Sequence, residues 1–159
     1  VDVEPVPDVA ADAVMRGARA LIAITARSLA DVEDVISLLQ WRVLVLISTR
    51  GPQTPTLVAE DLGIHRSNAT RICDRLVRAG FVEKQDDRND GRVQQIALTT
   101  AGRDLIEGIM ARRRVMIGKV MQGMEPAARG TLALSLEAFA SSAGEMTEGP
   151  IPGVLGLGG

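Results

Sequence analysis

Residues 57–64 read Leu57-Val58-Ala59-Glu60-Asp61-Leu62-Gly63-Ile64, and residues 66–76 read Arg66-Ser67-Asn68-Ala69-Thr70-Arg71-Ile72-Cys73-Asp74-Arg75-Leu76. Thr54-Pro55 stands just before the first run, an N-cap followed by proline at the first helical position. The pattern predicts a short helix from Pro55 to Leu62, stopped by Gly63, and a second from about Arg66 to Ala79, stopped by Gly80. Val58, Leu62, Ile64, Ala69 and Ile72 supply the apolar contacts between them. The small Ala59 lets the two axes approach, and Gly63 tolerates the positive φ of a tight turn. This is a helix-turn-helix pattern.

The second helix divides into two faces. Ala69, Ile72, Cys73, Leu76 and Val77 form one, while Arg66, Ser67, Asn68, Thr70, Arg71, Asp74, Arg75 and Arg78 occupy mainly the rest. Short hydrogen-bonding side chains beside arginine are what a helix needs to reach base edges in a major groove. A charged face is also what any solvated helix carries, so the segment that follows matters. Phe81-Val82-Glu83-Lys84-Gln85 and Val93-Gln94-Gln95-Ile96-Ala97-Leu98 are strand candidates joined by an Asp-Gly-containing loop, which predicts a β-hairpin. Arg88 and Arg92 bracket its tip, placed to grip phosphates or enter a minor groove.

Outside this centre the pattern is helical. A helix from Asp8 or Asp12 to about Leu29 carries an apolar stripe, and another is expected to start among the acids of 31–34 and run to about Thr49. The latter is apolar nearly all round, so it is expected to be buried. Thr99 or Thr100 caps a long helix to about Met124, and Pro126 opens a last one to about Ser142. The fold class is therefore mainly α, a winged helix-turn-helix with a small hairpin. Its expected parts are an N-terminal arm over 1–8, flanking helices over 9–33 and 100–143, the winged region over 34–99, and a flexible Gly/Pro-rich tail over 144–159.

Composition narrows the function. The chain has 159 residues, 46% of them hydrophobic and 24% charged, as in ordinary globular proteins. Aromatic residues are 2%, so the core is built from aliphatic side chains, alanine and methionine. The net charge is -2, yet residues 65–92 hold seven Lys+Arg against five Asp+Glu. The positive charge is thus concentrated where the helix-turn-helix and hairpin lie. No apolar stretch is long enough for a membrane span, and the acidic, proline-containing first residues do not suggest a secretory leader. One cysteine excludes an intrachain disulfide and fits a reducing, cytoplasmic setting. One histidine and one cysteine leave no metal-ligand set. No nucleophile–histidine–carboxylate set or phosphate-binding glycine loop is present, so neither enzyme nor cofactor is expected.

These segments, together with Ala79-Gly80-Phe81-Val82, the run Asp86-Asp87-Arg88-Asn89-Asp90-Gly91-Arg92 and the element Leu98-Thr99-Thr100-Ala101-Gly102, resemble the MarR family of winged helix-turn-helix regulators. The last element matches that family's L-T-x-x-G in full. The wing differs from its D-x-R-D-x-R by one added residue, Asn89. The resemblance spans residues 10–143 in helix order. It implies a homodimer, formed by the first and last two helices, that binds double-stranded DNA at a pseudo-palindromic operator, its recognition helices in successive major grooves about 10 bp apart. Apolar residues on several faces of the long helix, Leu105 to Met121, agree with pairing.

The DNA-contacting set expected on this basis is Arg66, Ser67, Asn68, Thr70, Arg71, Arg75, Arg88 and Arg92. Asn68 and Arg71, with Ser67 and Thr70, are placed on bases, and Arg66 and Arg75 on phosphate. The resemblance also implies a small aromatic or anionic effector, for which Met15, Arg19, Trp41 and Met110 are candidate lining residues, and a repressor that the effector releases. Two alternatives stay open: a winged-helix protein-interaction module without DNA binding, and a thiol redox-sensing regulator using Cys73. Cys73 on the apolar face reads better as a structural thiol, and Arg112-Arg113-Arg114 as a solvated patch. His65 reads as a helix-start or DNA-proximal residue.

Overall fold

A computed structural model describes residues 8–32, 34–86 and 94–144. The hairpin tip with Arg88 and Arg92 lies outside these residues, as do nearly all of the expected arm and tail. The described elements are α1 (Asp8–Leu29), a 3-10 turn (Ala30–Val32), α2 (Leu38–Arg50), α3 (Pro55–Leu62), α4 (Arg66–Arg78), β1 (Val82–Asp86), β2 (Gln94–Leu98), α5 (Thr100–Gln122) and α6 (Pro126–Ser142).

The expected order holds, with one shifted boundary. α2 starts at Leu38 rather than among the acids of 31–34. Ser37 forms a capping box: its hydroxyl accepts from the Gln40 N–H (3.3 Å), and the Gln40 side chain accepts from the Ser37 N–H (2.8 Å). Before it, the N–H groups of Val35 and Ile36 both donate to the Val32 carbonyl and fold the chain into a turn. The reciprocal cap wins over a dipole attraction spread across several acids.

The core sits around α2. Trp41, Val43, Leu44, Leu46 and Ile47 are buried there, and Val58, Ala69, Leu76, Val82, Ile96 and Ile109 close over them. β1 and β2 pair antiparallel, with Val82 opposite Leu98 and Asp86 opposite Gln94. Gln53 adds a short third rung: its N–H donates to the Ile96 carbonyl (3.1 Å) and the Ile96 N–H returns the bond (2.8 Å). The hairpin is thereby fixed to the segment between α2 and α3.

The flanking helices contrast with this core. Only Ile24, Ser28 and Leu29 of α1 are buried, and no residue of α6 is. Leu134 stays 71% exposed and Phe139 56%, and Val115 and Val120 of α5 are likewise open. Among the described residues, no helix is long and apolar enough to cross a membrane.

Candidate nucleic-acid interface

The turn between α3 and α4 is set by local chemistry. Thr54 caps α3, accepting from the Leu57 N–H (3.2 Å) behind Pro55. Gly63 ends it at φ 63° and ψ 36°, a left-handed conformation that costs a side-chain-bearing residue about 1–2 kcal/mol. The Ile64 N–H then donates to the Ala59 carbonyl (3.0 Å), and α4 leaves from His65. His65 makes no side-chain capping bond.

α4 buries Ala69, Ile72, Cys73 and Leu76 against the core. Arg66, Ser67, Asn68, Thr70, Arg71 and Arg75 are all exposed on its other side. Positions three and four apart are neighbours on a helix, so Asn68, Arg71 and Arg75 form one continuous ridge, with Ser67 beside Arg71. Arg66 and Thr70 lie on the adjacent ridge, where the Thr70 hydroxyl donates to the Arg66 carbonyl (3.0 Å). That bond uses its proton and leaves its lone pairs outward, so Thr70 faces a ligand as an acceptor. Asp74, the one acid of α4, pairs with Lys84 of β1 at 3.4 Å, which ties the helix to the wing strand.

A second tie fixes the wing to the end of α4. Thr99 accepts from the Gly102 N–H (3.1 Å), capping α5, and donates its hydroxyl to the Gly80 carbonyl (2.6 Å). Its N–H donates to the Phe81 carbonyl (3.1 Å). A Cβ on Gly102 would lie 2.1 Å from that same oxygen, so only glycine admits the contact. The L-T-x-x-G element is a clamp, and each of its fixed residues has a steric or hydrogen-bonding task.

A polar helix lying on such a corner, next to a paired wing, is the arrangement of a winged helix-turn-helix. The MarR family model matches residues 36–93. The crystal structure of RV1404 from Mycobacterium tuberculosis is 35% identical and superposes with a TM-score of 0.80, covering 91% of this chain and 99% of that one. The chain belongs to the MarR family. This makes it a DNA-binding transcriptional regulator, in a family whose members are in general regulators rather than enzymes. A curated relative, the uncharacterized HTH-type transcriptional regulator YkoM of Bacillus subtilis, is 29% identical over 110 residues, 69% of this chain and 71% of its own. A structure of BpsR from Bordetella bronchiseptica, described as regulated in its DNA binding by 6-hydroxynicotinic acid, shares the fold at 20% identity. It has a TM-score of 0.59 and covers 82% of this chain and 91% of that one.

In this MarR family member the expected effector residues do not converge. Trp41 is buried and Met110 half-buried, and both line a cleft of about 390 Å³ between α2, α3 and α5. Met15 and Arg19 stand exposed on α1 and line neither this cleft nor the neighbouring one. The cleft also carries Arg42, Arg50 and Asp61, which sequence reasoning did not single out, and Arg113, which it placed in a solvated patch. Arg50 pairs with Asp61 and links the end of α2 to α3. Arg113 is no solvated patch. Its guanidinium lies 5.2 Å from the Trp41 ring centroid and donates from Nε (3.3 Å) and Nη2 (3.2 Å) to the buried Ser28 hydroxyl. No local signal marks these residues, because α1, α2, α3 and α5 each contribute a part.

The second cleft, of about 670 Å³, lies between α1 and the first turn of α2. It is lined by Ile22, Leu29, Ile36 and Leu38, and shares Trp41 and Arg42 with the first. Cys73 has no redox setting. Burial, followed by the negative charge of Asp74, pushes its thiol up to about 11. A sensing cysteine needs the opposite shift, toward thiolate. Among the described residues, no three of His, Cys, Asp and Glu stand together as a metal site.

Proposed function

We propose that the protein acts as a homodimer that reads a pseudo-palindromic double-stranded operator and represses transcription until a small effector releases it. The observation that carries this reading is the exposed ridge of Asn68, Arg71 and Arg75 on a helix anchored by four buried residues. Asn68 and Arg71 contact bases, with Ser67 and Thr70 beside them, and Arg66 and Arg75 contact phosphate. Arg88 and Arg92 of the wing add phosphate or minor-groove contacts. The uncovered apolar surfaces of α1, α5 and α6 support pairing, since a helix with no buried residue gains little apolar burial from its own chain. The protein works by binding rather than catalysis, and in the cytoplasm, where its DNA is.

The effector site is the Trp41–Met110 cleft. Three arginines and one aspartate around it favour an anion, and it lies between α2, α5 and the helix-turn-helix. An occupant there changes the spacing of the two α4 helices and mismatches them to the groove repeat. Selection of bound duplexes from a random pool, repeated at several salt concentrations, tests the reading. The expected result is a palindrome and an affinity that falls steeply with salt. Arg71→Ala then relaxes the selected sequence at a discrimination cost of about 1–3 kcal/mol, whereas Arg88→Ala weakens all duplexes alike. Absence of any duplex binding would favour a protein-interaction module instead.

A further inference from the structure

The two clefts follow one another along α2. The apolar one lies against its start, at Leu38 and at Ile36 just before it, and the cationic one follows from Trp41 to Arg50. Leu38 and Arg50 are twelve residues apart on one helix, about 18 Å at 1.5 Å per residue. Trp41 and Arg42 belong to both clefts and stand at their junction. The surroundings change sharply there. On one side are Ile22, Leu29, Ile36 and Leu38. On the other are the arginines 50 and 113, with Asp61 already engaged by Arg50. Among the described residues Arg42 makes no ion pair and is exposed.

From this continuity we infer that the effector is an amphipathic carboxylate with an extended aliphatic tail. Its head is drawn to Arg42, beside the Arg113 guanidinium over Trp41, and its tail lies in the Ile22–Leu38 groove. A lone small anion leaves the apolar groove empty, and a neutral hydrocarbon leaves the cationic end without a counter-charge. A molecule with both parts satisfies the whole run. The inference rests on the effector reading above and narrows its chemical class.

The test uses the 159-residue chain and its single tryptophan, which stands at the junction. Decanoate, hexanoate, benzoate and decanol are titrated below their micelle-forming concentrations while Trp41 emission is followed. Decanoate is expected to shift the emission saturably and to bind at least ten-fold more tightly than hexanoate, since each pair of buried methylenes contributes roughly a factor of ten. Arg42→Gln is expected to weaken decanoate at least ten-fold and leave decanol unchanged. Leu38→Gln is expected to abolish the dependence on chain length. Both residues are exposed, so neither change threatens folding.

Equal binding of hexanoate and decanoate, or an Arg42→Gln variant that binds decanoate as before, overturns the inference. So does a Leu38→Gln variant that falls apart into single chains by light scattering, because the groove then belongs to a second copy. If benzoate equals decanoate and still releases DNA, the effector reading stands and this inference alone fails. If no acid perturbs Trp41 while duplex binding persists, both the tail and the head assignments fall and DNA recognition remains.

Discussion

Replacing Gly102 by alanine tests the clamp that joins α4, the wing and α5. The new methyl carbon would lie 2.1 Å from the Phe81 carbonyl oxygen, where real Cβ contacts essentially never fall under 3.0 Å. The first turn of α5 and the Phe81 backbone must therefore separate by about 1 Å. Neither partner is a flexible side-chain end. Overpacking of this kind costs about 1–3 kcal/mol. The separation also stretches the two Thr99 bonds, to the Gly80 and Phe81 carbonyls, each worth about 0.5–1.5 kcal/mol. The better helix propensity of alanine offsets up to about 1 kcal/mol. The net loss is about 2–4 kcal/mol, which for a chain of this size lowers Tm by about 5–15 °C. Thermal unfolding followed by circular dichroism at fixed protein concentration reads this directly. Duplex affinity measured well below the transition should fall too, because the wing is re-aimed relative to α4. A variant that melts at or above the parent temperature would refute the steric argument, since propensity would then be the only effect left.

Further outcomes follow from the buried thiol and the open helices. Cys73 should react with iodoacetamide at pH 8 about a hundredfold more slowly in the folded chain than in denaturant, as a rise from 9.0 to about 11 implies. Equal rates would show the thiol to be accessible and ionised. The same shift makes the fold lose stability as pH climbs from about 9 toward 11, because the unfolded chain ionises first, and Cys73→Ala should remove that component in pH-dependent melts. Leu134→Glu and Phe139→Glu, which alter exposed positions of α6, should leave helicity intact and convert the protein to single chains by light scattering. A dimer surviving both changes would place the pairing surface elsewhere.

The winged centre is written in local signals. The Thr54 cap, Pro55, the left-handed Gly63 and the stop at Gly80 act within a few residues of themselves, so their effect is written where they stand. The division of α4 into buried Ala69, Ile72, Cys73 and Leu76 and exposed Arg66 to Arg75 follows from helical period in the same way. The start of α2 was harder, because two N-terminal signals compete there and the geometry of Ser37 and Gln40 outweighs the acids before them.

Properties that need several elements at once were another matter. Nothing in the neighbourhood of Arg113 announces that it stacks on Trp41 and bonds Ser28, residues far away along the chain. By sequence Met15 and Arg19 are as eligible as Trp41 for a ligand, yet they line neither of the two clefts described. Gly102 was visible as a motif residue, but its reason, a carbonyl oxygen where a methyl would stand, exists only after α5 folds back on Phe81. Helix periods and caps are encoded by neighbours, whereas clefts and close approaches depend on how separate elements pack, and that depends on every side chain between them.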